Sequence, residues 1–315
     1  MRVVSTIGRR LLRSIPLLFT VSLVSFVLSS LRPGDTAGVI LGTGATPEQK
    51  AIVTEQLGLN RPVPEQYWSW LTDAVRGDLG RSVFSNESVS GMLTNRLPAT
   101  LSLALLTLII SVVTGVVLGS ISAIRGGRVA RALDALAFVA MSIPSFWFAA
   151  VLIVFFVVRW EMFPASGFIP FGESPWMWFK SLALPVFCLS TSAIAGLAMQ
   201  MRGQMVATFQ SDYIRSLRAN GLPTSSILYR HVLKNSAAPV VTLSGLLVVS
   251  LIGGTVLMES IFGIAGLGTL AVEATATHNL PVIQGVVVLF TVIVIAVNLL
   301  TDLAQTALNP RVDVS

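Results

Sequence analysis

Six runs of 18 residues or more carry no Asp, Glu, Lys or Arg: 14–31, 97–124, 135–158, 181–201, 235–258 and 274–301. They are 18, 28, 24, 21, 24 and 28 residues long. A helix crosses a hydrocarbon core of ~30 Å with about 20 apolar residues, and in lipid it satisfies its own backbone polar groups. The pattern therefore predicts an all-α, polytopic membrane protein with six transmembrane helices. Residues 1–31 form a short N-terminal segment and the first span, and 32–96 a long loop. Residues 97–308 form a core holding spans two to six and a polar hairpin at 205–235, and 309–315 a tail.

Composition agrees: 53% of residues are hydrophobic and 11% charged, against roughly a quarter charged in soluble domains. The distribution of cations adds orientation. Residues 1–13 carry four Arg and no acid, 125–134 three Arg against Asp134, and 202–234 five basic residues against Asp212. The segment 159–180 has only its two flanking cations, and 259–281 has none. The positive-inside rule places both termini and the 205–235 hairpin in the cytoplasm. The loop 32–96, with six basic and seven acidic residues, falls outside. The stretch "GRRLLRS" is faintly like an export signal, but no small-residue cleavage site closes the apolar run behind it, so an uncleaved first helix is expected. The net charge of +6 belongs to cytoplasmic loops and needs no nucleic acid to explain it.

Most enzyme classes are excluded. No glycine loop is followed by Gly-Lys-Ser/Thr, so the chain has no phosphate cradle of its own. His231 and His278 are too far apart for a metal site, and Cys188 is the single cysteine, so no intrachain disulfide forms. An intramembrane serine protease would need a histidine to activate a residue such as Ser244, which reads instead as a small packing residue. Charges buried mid-span, the mark of proton relays and ion pathways, are missing from the pattern. Catalytic, cofactor-binding and metal-ligating residues are therefore expected to be absent. Gly115 and Gly119 in "GVVLG" predict close helix packing, as do Gly253 and Gly254 in "LIGGTV". Pro144 and Pro185 predict kinks.

The hairpin holds "DYIRSLRANGLPTSSILYRHVLKN", residues 212–235. Over 205–219, Val206, Phe209, Tyr213 and Leu217 are spaced as one face of an amphipathic helix. Asn220 and Gly221 end it, because glycine accepts the left-handed conformation of a helix C-cap. Pro223 blocks simple continuation, and a second short helix is expected from about Ser225. From the residues alone, two outcomes stand: a helix pair projecting into the cytoplasm, or one lying among lipid headgroups.

This stretch resembles the cytoplasmic coupling segment of permease subunits in bacterial ATP-binding-cassette importers. In that family the general pattern is E-A-A, three residues, Gly, nine residues, then I-x-L-P. Gly221 takes the glycine position, while Arg215, Ser216 and Leu217 stand at E-A-A and His231, Leu233 and Lys234 at I, L and P. The peptide-importer branch is closer: Asp212-Tyr213-Ile214-Arg215, Arg218-Ala219, Gly221-Leu222 and Arg230-His231 follow its version. The similarity runs along nearly the whole chain, through "RPGD", "EQLGLNRPVPEQYWSWL", "GDLGRS", "RLPATLSLA", "IPSFW", "FPASGF", "VIQG", "NLLTDL" and "NPRV". Two places depart from it. "IFGIAGLG" lacks the proline that members often carry before Gly266, and "HNLPVIQ" lacks the acid–aromatic pair that usually precedes Pro281.

The resemblance implies a type I importer permease fold and a non-catalytic transmembrane subunit of a dipeptide or oligopeptide importer. A nickel-chelate or other small-solute importer of the same branch, or a membrane scaffold without transport, are the alternatives. Implied partners are a second homologous permease, two ATPase subunits that use ATP and Mg, an extracytoplasmic solute-binding protein and membrane lipid. The implied coupling residues are Asp212, Tyr213, Arg215, Arg218, Gly221, Leu222, Arg230 and His231. In the external loop, Tyr67, Trp68 and Trp70 are either a contact for the binding protein or partner permease, or part of a small helix on the outer face of the bilayer.

Overall fold

The computed structural model describes residues 2–30, 38, 41, 44–56 and 60–308. The "RPGD" stretch, residues 57–59 and the tail 309–315 with "NPRV" lie outside the described residues. In chain order the helices are α1 Arg2–Ser30, α2 Pro47–Gln56, α3 Val63–Val75, α4 Val89–Arg125, α5 Gly127–Ser142 and α6 Ser145–Leu152. They continue with α7 Pro175–Gln210, α8 Asp212–Ala219, α9 Thr224–Ile261, α10 Leu267–Ala276 and α11 Leu280–Leu308.

Among the described residues, five stretches are long and apolar enough to cross a membrane: Leu12–Ser30, Val89–Arg125, Pro175–Phe209, Thr224–Ile261 and Leu280–Thr306. The expected third span is not one helix. Gly127–Ser142 and Ser145–Arg159 meet at 92°, and the count reaches six when this bent pair is one span. Pro144 sets the break. It brings no N–H, and its ring pushes the preceding residue out of the helical region. Ile143 is accordingly extended at φ −83°, ψ 120°. After Leu152 the helix widens into the π-helical Ile153–Arg159. Pro185, by contrast, lies inside the continuous α7.

The chain divides into two compact units. The first comprises residues 1–100 and 265–295. Val89 and Leu93 of α4 pack there against Leu267 and Leu270 of α10 and Val282 and Val286 of α11. Leu267 N–H donates to Thr100 Oγ1 at 2.8 Å, and Asn279 Nδ2 to Ser82 Oγ at 2.8 Å. These bonds pin the non-helical links beside α10 and α11.

The second unit comprises residues 101–264 and 296–315. Its seam is built on glycine. A Cβ on Gly115 would lie 2.6 Å from Leu197 Cβ, and one on Gly119 2.5 Å from the Ala198 carbonyl oxygen. Only a bare backbone lets α4 approach α7 this closely. Gly254 has Leu189 Cδ2 at 3.2 Å from the same built position, whereas a Cβ on Gly253 meets nothing within 4 Å in this chain. Helix α7 has 36 residues, about 54 Å at the standard rise. It therefore overruns a ~30 Å hydrocarbon core and carries the chain out to the polar turn that follows.

Candidate functional site

The turn after α7 is built from its backbone outward. Ser211 is extended at φ −69°, ψ 148°, which ends α7 and opens α8. Serine suits this position because its short polar side chain competes for local backbone bonds; here Ser211 Oγ donates to the Thr208 carbonyl at 2.6 Å. Asp212 then lies in the first turn of α8 and Arg218 in the last, each matching the sign of the helix dipole. The expected single helix over 205–219 is thus two. The non-helical Ser211 restarts the 3.6-residue period, so Ile214 is buried and Tyr213 is 41% exposed, the reverse of the continuous-helix expectation.

Helix α8 closes in a Schellman motif. Gly221 N–H donates to the Arg218 carbonyl at 3.0 Å and Leu222 N–H to the Leu217 carbonyl at 3.2 Å. Gly221 takes φ +77°, the left-handed geometry such a cap requires. Leu217 and Leu222, the pair that customarily touch across this motif, both pack on the same apolar cluster.

The expected second short helix is a further correction. Thr224–Ser226, the π-helical Ile227–Val232 and Leu233–Ile261 follow one another without a break. The helix resumes after Pro223 and takes in Pro239 without a break, so the chain runs from the turn into the fifth span. Beneath the turn, Met205, Ile214, Ile227, Val232 and Val240 are buried together, with Phe209, Leu217 and Leu222 against them. Across it, Asn235 Nδ2 donates to the Tyr213 hydroxyl, tying α8 to α9. Arg218 lies over the Phe209 ring at 5.9 Å.

The outer side is polar. Asp212, Tyr213, Arg215, Arg218, Gly221 and Arg230 are exposed, while Leu222 and His231 are half-buried. Arg215 reaches Asp212 at 3.3 Å, but both are solvated, and such pairs add little. Four cations, Arg215, Arg218, Arg230 and Lys234, stand against one acid on this surface. The arrangement has no pocket chemistry. It is a rigid, basic knob between the ends of two long helices, and it offers contact and not catalysis. Of the residues that hold it, Ile214 and Asn235 were missed in sequence, the first hidden by the break at Ser211.

In the first unit, Tyr67 is 4% exposed. Its ring packs edge-on against Phe19 and Phe26 of α1, and its hydroxyl shares a 2.9 Å hydrogen bond with Ser22 Oγ. Trp70 is half-buried beside it, and Trp68, 63% exposed, is the outward member of the three.

The polar knob between spanning helices now has counterparts. Residues 115–314 match the family described as "Binding-protein-dependent transport system inner membrane component", and residues 3–104 match its N-terminal companion. The chain belongs to this family. It is a multi-pass inner-membrane permease subunit of an ATP-binding-cassette transport system, a component without catalysis of its own. Membership brings ATPase and binding-protein partners with it. Among its relatives is the "Probable peptide ABC transporter permease protein y4tP" of Sinorhizobium fredii, 39% identical over 96% of this chain and 97% of that protein. The "Oligopeptide transport system permease protein AppB" of Bacillus subtilis is 34% identical over 97% of this chain and 98% of that one. The fold is shared with the MetNI methionine ABC transporter solved in inward-facing conformations. There the TM-score is 0.57 at 18% identity, over 70% of this chain and 97% of that one.

Proposed function

We propose that this chain is the peptide-conducting permease of an ATP-driven importer. It would work beside a second homologous permease, two ATPase subunits and an extracytoplasmic solute-binding protein. The cargo is inferred from the relatives, whose names specify peptide and oligopeptide transport. The cation distribution supports a topology with both termini and the knob in the cytoplasm, where the ATPases are.

The observation that carries the coupling role is the construction of the knob. Its polar side, with Tyr213, Arg215, Arg218 and Arg230, is free to enter a cleft on an ATPase. Its apolar side is locked onto α7 and α9 through Met205, Ile214, Ile227 and Val232. Packed side chains resist compression and transmit displacement. A shift imposed on the knob therefore moves the ends of two membrane-crossing helices as levers. Closure of the ATPase pair on ATP would drive the change from inward-facing to outward-facing in this way, and all ATP and Mg chemistry would belong to those subunits. On the opposite side of the membrane, Trp68 is the exposed contact offered to the binding protein.

The test is reconstitution of the four-component complex with its binding protein in liposomes. ATP in the ATPase-accessible compartment should drive uptake of labelled di- and oligopeptides. A complex that hydrolyses ATP under binding-protein stimulation yet moves no peptide would refute the cargo assignment.

A further inference from the structure

Within the second unit, α4, α5 and α7 enclose a cleft of about 260 Å³. Its body is apolar, walled by Leu118, Leu136, Phe187, Ile194 and Met199. It exceeds the roughly 150 Å³ that suffices for one benzene in an apolar protein cavity. Its polar lining includes Asp134 of α5 and Arg202 of α7, ion-paired at 3.2 Å. Two polar atoms there are left without a protein partner. Ser122 Oγ, on a residue only 3% exposed, and the buried Arg202 Nε both lack a hydrogen bond.

The surroundings specify the kind of guest. Arg131 is exposed one helical turn before Asp134, and Arg125 and Arg128 are exposed just upstream. Arg202 and Asp134 line the cleft itself, and these three arginines stand on the stretch of chain that leads into Asp134. The walls belong to helices that cross the membrane or, for α5, to half of the bent span. Buried polar donors are normally satisfied, and an apolar cleft whose polar end holds Arg202, with the exposed Arg131 one helical turn before Asp134, suits a molecule with a hydrocarbon tail and an anionic head. We propose that this cleft is a binding site for an anionic glycerophospholipid, its acyl chain along Leu118, Leu136 and Phe187 and its phosphate drawn to Arg202 and Arg131. In the proposed topology the lipid comes from the cytoplasmic leaflet. Bound there, it would brace α5 against α7 close to where α7 feeds the coupling knob.

The assembled complex, in vesicles of phosphatidylcholine with and without phosphatidylglycerol, provides the test. A phosphatidylglycerol probe with a photo-activatable acyl chain should label α5 and α7 around Ala140 and Ile194. Unlabelled phosphatidylglycerol should compete and phosphatidylcholine should not. Ala140→Trp fills the apolar part and should abolish that labelling. Arg131→Gln alters only an exposed side chain, and it should weaken the preference for the anionic lipid about fivefold, the worth of one basic residue at a charged membrane surface. Labelling that avoids α5 and α7, that is equal in wild type and Ala140→Trp at equal complex abundance, or that is competed equally by both lipids overturns the proposal. So does capture of the cleft by a helix of the partner permease. The readout is binding alone, so its failure is separate from any failure of peptide uptake.

Discussion

Gly221→Val separates backbone strain from every other consequence of a new side chain. A Cβ on Gly221 meets nothing within 4 Å, so the substitution causes no collision. The cost lies in φ +77°. An L-residue in this region is strained by about 1–3 kcal/mol, with β-branched valine at the upper end. Relieving the strain means leaving the left-handed region, which forfeits the two Schellman bonds and the seat of Leu222, each bond worth about 1 kcal/mol. Either route costs about 2 kcal/mol, which lowers the equilibrium constant for forming the knob about thirtyfold. The membrane-spanning helices are untouched. Membrane abundance should stay normal while ATPase co-purification and peptide uptake fall together. Gly203→Ala is the matched control. This glycine also has open space but lies inside α7 without positive φ, so alanine should be neutral or stabilise by about 0.5–1 kcal/mol. A Gly221→Val complex with normal abundance, full ATPase retention and normal uptake would refute the reasoning.

Gly119→Val should do the opposite, since its side chain collides with the Ala198 carbonyl and Met201. Overpacking of this kind costs about 1–3 kcal/mol or more, so the chain should accumulate poorly in immunoblots of membranes, while Gly253→Ala should accumulate normally. Tyr67→Phe removes the bond to Ser22 and should lower the melting temperature of the purified complex by an amount equivalent to about 1 kcal/mol, with uptake unchanged at 25 °C. Trp68→Ala should leave that temperature alone and weaken stimulation of the ATPases by the binding protein. Reporter fusions near Arg128 and Gly221 should be cytoplasmic and those near Asp73, Phe171 and Thr275 external; a cytoplasmic signal at Asp73 would reverse the topology.

The membrane class and the places of the apolar runs were legible because lipid imposes one simple demand, an uncharged run of sufficient length. Gly221 was legible for a similar reason: a polar stretch closing on Asn-Gly before proline leaves few alternatives to a left-handed cap. Ser211 was not. Serine is tolerated inside helices, and only the extended backbone at that residue shows that the period restarts, moving Ile214 inward and Tyr213 outward. The right-angle break at Ile143–Pro144 was half legible, since proline signals a kink but its 92° amplitude depends on how α5 and α6 each pack on α7. Tyr67 gave no sign of its burial, because an aromatic residue on a short amphipathic helix reads the same whether it faces a partner or its own α1. The Asp134–Arg202 pair was invisible for another reason: its members are 68 positions apart, each just outside an uncharged run.

The central claim, that the knob is where the ATPase grips this chain, is tested most directly by a single engineered thiol. Asn220 is exposed at the tip beside Gly221, and the only native cysteine, Cys188, is buried in α7. Asn220→Cys, in the intact complex in native membranes, should cross-link to an ATPase subunit through a short thiol-reactive reagent, with a yield that changes when ATP is bound. A fully assembled complex in which this thiol never joins the ATPase, and is instead modified by a reagent carried in the lipid headgroup region, would contradict the account.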